Sequence, residues 1–385
     1  LLKKHMNFEL TEEQLAVQEA ARDFAQTELL PGVIERDEKQ QFPAEQVRKM
    51  GELGFLGMMV DPKYNGGGMD TVSYVLAMEE ISKIDASASV CMSVNSSLVC
   101  WGIETYGTEE QKQKYLTKLA TGETIGAFCL SEPEAGSDAT SQRTTAEDKG
   151  DYYLLNGTKN WITNGNSAGV YIVIAQTDPE KRHKGINALI VEKDMDGFVV
   201  GKKEDKLGIR GSDTHSLMFT DVKVPKENRI GDDGFGFTFA MNTLNGGRIG
   251  IASQALGIAS GAYELALNYS KERKAFGKEI SQHQAIQFKL ADMATQIEAA
   301  RLLCLQAASL KDQKKSYAQA SAMAKLFASD AAMKITVEAV QIHGGYGFVK
   351  EYHVERLKRD DKITQIYEGT SEIQRNVISR ALLGG

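Results

Sequence analysis

Five short stretches of this chain hold residue types that could do chemistry. In Ile366-Tyr367-Glu368-Gly369-Thr370-Ser371-Glu372-Ile373-Gln374, Glu368 stands on a short apolar-flanked loop just ahead of a helix. A glutamate there can complement the helix macrodipole, worth about 0.3–1 kcal/mol, or act as a general base. Ser371 and Gln374 have the spacing of a capping box opening the terminal helix. In Phe128-Cys129-Leu130-Ser131-Glu132-Pro133-Glu134-Ala135-Gly136-Ser137-Asp138, backbone amides and the Ser131 and Ser137 hydroxyls could hold the polar edge of a cofactor, and the same residues could make a turn-rich entry to a strand. Trp161-Ile162-Thr163-Asn164-Gly165 sets an aromatic face beside a hydroxyl, although a single tryptophan in a β domain usually belongs to the core. Gln341-Ile342-His343-Gly344-Gly345-Tyr346-Gly347 ends a long helix with more glycines than a C-cap needs, which points to something passing close by. Arg273, in a basic turn, could grip a pyrophosphate as a bidentate fork or simply be solvated.

These stretches need elements to position them, and periodicity supplies three blocks. Thr11 and Gln14 read as a capping box inside a staple of Leu10 and Leu15, and helical patterns follow at 43–56, 71–84, 86–106 and 109–121, broken by Asn65-Gly66-Gly67-Gly68. Residues 6–121 are therefore expected to form an α-helical domain, with Leu1 to His5 set aside as an appended stretch before Met6. From 122 the pattern changes to short β-branched or aromatic runs at 152–155, 170–176, 186–192, 197–200 and 215–219, predicting a β-barrel-like middle domain over 122–231. Asn156-Gly157 reads as a hairpin turn within it. Residues 232–385 hold no proline, and long helical patterns at 249–273, 283–311 and 316–343 predict an antiparallel bundle. The fold class is α+β, in the order α, β, α.

Composition narrows the function. The chain has 385 residues, 45 Lys plus Arg against 52 Asp plus Glu, and a formal charge of −7, which argues against a nucleic-acid-coating role. No Walker A sequence is present. Gly234-Phe235-Gly236-Phe237-Thr238-Phe239 starts like a dinucleotide fingerprint but has Phe239 where the last glycine belongs, so it reads as a linker. The six histidines show no metal-ligand spacing, so no metal is expected. Cys91, Cys100, Cys129 and Cys304 form no CxxC pair and read as buried thiols of a reducing, cytoplasmic setting. No apolar run is expected to approach the roughly 20 residues that cross a bilayer.

Taken together, these stretches resemble the acyl-CoA dehydrogenase family from Phe8 onward, and within it the short-chain, butyryl-CoA-oxidising type. The resemblance implies an α domain, a β domain and a C-terminal four-helix bundle, FAD as cofactor, acyl-CoA as substrate and electron-transfer flavoprotein as acceptor. It implies that Phe128, Leu130, Ser131, Ser137, Trp161, Ile162 and Thr163 hold the flavin ring. Arg273, Phe276, Gln284, Gln341, Gly344 and Gly345 match segments that bind the ADP part of FAD from a neighbouring subunit, with Thr370 and Glu372 a further FAD contact. A homo-oligomer, a tetramer, follows. Ser137, Asn245, Arg248 and Gly369 match acyl-CoA contacts, and Glu368 matches the catalytic base. Some relatives carry the base on the bundle helix near Gly246-Gly247-Arg248, a role Gly247 cannot fill. Asn245 departs from the aspartate common in short-chain members and leaves branched acyl groups open. An oxidase reducing O2, or a non-catalytic acyl-CoA-binding scaffold of the same fold, would carry many of the same residues.

Overall fold

The computed structural model describes residues 9–384; the reading of residues 1–5 lies outside them. The N-terminal region is helical: α1 (Glu12–Phe24), α2 (Val33–Glu38), α3 (Ala44–Glu52), α4 (Thr71–Ile84), α5 (Ala86–Ser93), α6 (Trp101–Tyr106), α7 (Glu109–Gln111) and α8 (Thr117–Thr121). The first opens on the expected capping box, with the Gln14 N–H donating to Thr11 Oγ1 at 3.2 Å and the Thr11 N–H to Gln14 Oε1 at 3.0 Å. Through the wider turns of Val94–Cys100, α5 and α6 run on as one helix. Contrary to expectation, this 21-residue segment is long and apolar enough to cross a membrane; its composition is accounted for by burial, since its apolar 18-residue stretch is 94% buried inside the fold.

The middle region is a mixed sheet of β1 (Gly126–Cys129), β2 (Thr145–Asp148), β3 (Tyr152–Thr163), β4 (Val170–Gln176), β5 (Ile186–Glu192), β6 (Phe198–Lys203), β7 (Thr214–Pro225) and β8 (Arg229–Ile230). Its order is β6-β7-β3-β2-β4-β5-β8, with β1 parallel to β4. Every residue of β4 is buried, because its two faces serve two cores. Val170, Ile172 and Ile174 meet Phe239 and Ile249 of the helical core, while Tyr171, Val173 and Ala175 join Leu155 and Val222. Asn156-Gly157 is not a hairpin turn. Strand β3 runs straight through it, and the pairing with β7 slips between Leu155 and Gly157. The slip is a bulge that brings Gly157 so close to Thr144 that a Cβ there would lie 2.6 Å from Oγ1.

The C-terminal region comprises α9 (Gly236–Glu272), the short pair β9 (Lys274–Ala275) and β10 (Lys278–Glu279), then α10 (Gln284–Asp312), α11 (Ala318–His343), α12 (His353–Asp361) and α13 (Ser371–Leu383). Helices α9, α10 and α11 pack side by side and α13 lies along α11. The stretch from Gly234 to Phe239, expected as a linker, instead opens α9, whose first turn starts at Gly236. Glycines let α9 approach its neighbours: a Cβ at Gly250 would come within 2.6 Å of Tyr74 Oη, and one at Gly261 within 2.5 Å of the Lys83 carbonyl.

A buried ionic cluster joins all three regions. Arg359 on α12 reaches Asp37 on α2 at 2.7 Å, Arg36 reaches Asp85 at 3.2 Å, and Arg356 holds Asp360 at 3.1 Å and the Ile84 carbonyl at 2.7 Å. Asp360 also accepts the Ile209 N–H at 2.5 Å from the loop before β7.

Candidate active site

The chain leaving α12 turns through residues 362–365 and reaches Glu368 and Gly369 in left-handed backbone, φ +55° and +90°. Helix α13 then starts one residue earlier than a Ser371–Gln374 capping box requires. Thr370 is the N-cap, its hydroxyl accepting the Ile373 N–H at 3.3 Å. Gln374 turns back instead to the loop, donating from Nε2 to the carbonyls of Glu368 at 3.2 Å and Gly369 at 2.8 Å. A second donor, Lys325 Nζ on α11, holds the Gly369 carbonyl at 2.7 Å. The Tyr367 hydroxyl donates to Gln254 Oε1 on α9, which fixes the other side of the loop.

The loop aims Glu368 at α9. Its Oε2 atom is buried and has no hydrogen-bond partner. It occupies the space a Cβ at Gly247 would need, so the glycine that cannot itself be a base is what makes room for one. Burial raises the Glu368 carboxyl to about 7, against the opposing pull of Arg248 and Lys325. Arg248, also buried, donates to Asn245 Oδ1 at 2.6 Å and leaves its Nε without a partner. Lys325 and the Gln374 contact to the loop were missed in the sequence. A lysine at position 325 does fall on the buried phase of α11 with Ser321, Ala322, Ala328, Ser329 and Ala332, and that misfit was the available signal.

Phe128 on β1 comes to the same helix, its ring 6.4 Å from Phe239, two turns before Gly247 and therefore about 12 Å from it along the axis. The loop beyond β1 is anchored from below. Lys159, fully buried on β3, pairs with Glu132 at 2.7 Å and donates to the Leu130 carbonyl at 3.0 Å, while the Ser131 carbonyl accepts the Asn160 N–H at 2.9 Å. Ser137 lies on the exposed part of this loop. Ile162 is buried and Thr163 pairs with Thr214. Trp161 is not core: it is 54% exposed, with φ +59°, because the β3–β7 pairing slips between Lys159 and Ile162 and turns its indole outward.

The remaining predicted contacts gather elsewhere. Arg273 ends α9 with its guanidinium 5.5 Å from the Tyr346 ring, which brings together the basic turn and the glycine turn. Phe276 is 96% exposed with its ring 6.0 Å from His283, the residue before Gln284. Gln284 and Gln341 are exposed, and a Cβ on Gly344 or Gly345 would meet nothing within 4 Å. Gly347, by contrast, is required by the helix itself, since a Cβ there would lie 2.9 Å from the His343 Cβ. Some 26 residues of α9 separate Gly247 from Arg273, roughly 39 Å at the helical rise. Within one chain the Arg273 cluster and Glu368 are thus far apart. Thr370 stays beside Glu368 as the cap of α13, and the Glu372 side chain is exposed.

A carboxylate oxygen buried against a glycine notch on α9, with β1 reaching the same helix through Phe128, is an arrangement that can take up a proton away from water. The sequence matches the acyl-CoA dehydrogenase N-terminal domain over residues 11–123, the middle domain over 127–222 and the C-terminal domain over 234–383, and the chain belongs to this flavin-dependent family. It is 52% identical to an acyl-CoA dehydrogenase of Bacillus subtilis, over 98% of this chain and 99% of that one. It superposes on the butyryl-CoA dehydrogenase of Megasphaera elsdenii with a TM-score of 0.97 and 50% identity, over 98% of this chain and 100% of that one. A chain in a structure of the electron transferring flavoprotein of Acidaminococcus fermentans, solved towards a mechanism of flavin-based electron bifurcation, matches with a TM-score of 0.98 and 53% identity, over 99% and 100%.

Proposed function

We propose that this protein oxidises short-chain acyl-CoA thioesters to trans-2-enoyl-CoA, with Glu368 as the general base. The observation that carries this reading is the Glu368 Oε2 atom, buried, unpartnered and raised to about 7, so that it can both take and release a proton near neutrality. The α-hydrogen of a thioester is a weak acid, and developing charge on the carbonyl oxygen must be met by aimed donors. The Glu368 N–H, in a loop fixed by Gln374, Lys325 and Tyr367, is suited to that task. An acyl group bound beside the carboxylate that fills the Gly247 notch would exclude water from Oε2. Bound flavin supplies the acceptor for the β-hydride, which no side chain provides.

The residues present fit FAD. Phe128, Leu130, Ser131, Ser137, Trp161, Ile162 and Thr163 would hold its ring, the outward indole of Trp161 being available for it. Arg273, Phe276, Gln284, Gln341, Gly344 and Gly345, with the two open glycines, would take the ADP part. Their roughly 39 Å distance from Gly247 supports a site shared between subunits of a homotetramer, as does the exposure of Phe276 and Phe348. Ser137, Asn245, Arg248 and Gly369 would contact acyl-CoA, and Thr370 and Glu372 the FAD. We assign electron-transfer flavoprotein as the acceptor on the strength of the Acidaminococcus likeness, and a reducing cytoplasm on four buried, unpaired thiols. The test is Glu368→Gln in flavin-loaded enzyme with butyryl-CoA: loss of turnover by at least about 100-fold is expected, and near-native turnover would overturn the assignment.

A further inference from the structure

We propose that Lys325 is a positioning residue for the general base: its Nζ clamps the Gly369 carbonyl, fixing the loop that carries Glu368, and sets a buried cation on the helix beside that loop. The inference rests on the reading of Glu368 as the base. Lysine is almost never fully buried unless paired, and Lys325 is 0% exposed in an alanine-rich stretch of α11. Among the described residues its one hydrogen-bond acceptor is the Gly369 carbonyl, 2.7 Å away, and no carboxylate lies within ion-pair distance. An ammonium has three donors, and a neutral glutamine would satisfy one carbonyl as well. What the lysine adds is charge. One residue from its acceptor stands a carboxylate whose Oε2 is equally buried and equally without a donor. Opposite charges so placed compensate each other through a medium of low dielectric, with Arg248 on α9 the larger influence on Glu368 and Lys325 the second.

The surroundings leave few other groups to do this. Glu368 faces Arg248 on α9, Lys325 on α11, and the phenols of Tyr367 and Tyr74. Lys325 faces Arg248, Asp330 and Glu372 besides Glu368, and burial lowers it to about 7. Glu368 and Lys325 therefore titrate as a pair, and removing the cation must move the carboxyl upward.

The experiment follows Glu368 directly. Its protonated carboxyl band is isolated by infrared difference against Glu368→Gln and titrated with pH in flavin-loaded wild type, Lys325→Gln and Lys325→Met, alongside the acid limb of kcat/KM for butyryl-CoA. Both variants are expected to raise the Glu368 midpoint and the acid limb together by about one pH unit, a tenfold loss below the limb. Lys325→Gln, which keeps a donor for Gly369, is expected to retain more kcat above the limb than Lys325→Met. Midpoint and limb both within 0.3 unit of wild type in both variants (~twofold,) would overturn the proposal. So would failure of both to fold, since Lys325 would then be a structural anchor. A wild-type level of turnover in Glu368→Gln would instead strike the base assignment itself.

Discussion

A carboxylate oxygen buried without a donor is expensive to ionise, and at the residue scale Glu368 Oε2 carries the consequence. Because it must be ionised to accept a proton, kcat/KM should rise through a limb near pH 7, the value to which burial lifts it. The same shift fixes the sign of its effect on stability. The folded state keeps the proton between the ordinary carboxylate range and about 7, so the folded state loses stability as pH rises through that window. Glu368→Gln should therefore raise the melting temperature at pH 8 and leave it unchanged at pH 4, measured by calorimetry. Gly247→Ala should displace the carboxylate, because the added methyl claims the space of Oε2. A loss of kcat/KM of about 100-fold or more is expected at unchanged flavin content. The residues around Glu368 left it between a macrodipole complement and a base, and only the resemblance to the acyl-CoA dehydrogenases singled it out; the structure adds that its Oε2 is buried and unpartnered. Lys325 was not legible in the sequence, since a single lysine among alanines at helical spacing resembles a solvated face until the phase of burial is known.

At the element scale, strands β4 and β5 were readable to the residue, because a mostly apolar run of seven has two buried faces and few alternatives. The Asn156-Gly157 signal failed because turn propensity is local and the pairing with β7 is not: the longer ladder absorbed the dipeptide as a bulge. The start of α13 slipped by one for a related reason. Thr370 and Ser371 are both good N-caps, but Gln374, which a box from Ser371 would need, is held to another task by the carbonyls of Glu368 and Gly369. Thr370→Ala should cost about 1 kcal/mol in denaturant unfolding. It should also lower kcat, since the cap orders the turn that presents Glu368.

At the scale of the whole molecule, the order α, β, α was legible from the change of period, whereas the joints between the regions were not. The cluster of Arg36, Asp37, Asp85, Arg356, Arg359 and Asp360 draws on residues far apart in sequence, and no local pattern marks them. It clamps α12, the helix that feeds the Glu368 loop, to both other regions. Arg356→Met leaves Asp360 buried without its cation and should destabilise by about 3–5 kcal/mol, read as a loss of cooperativity in thermal unfolding. The proposed subunit interface has a simpler expected signature: Phe276→Ser should shift sedimenting mass towards smaller species and release FAD together. The bulge that turns Trp161 outward has an optical consequence. The chain has two tryptophans, and one of them stands bare on the proposed flavin face, so its emission should dim as cofactor is titrated into stripped protein, and Trp161→Phe should abolish most of that quenching.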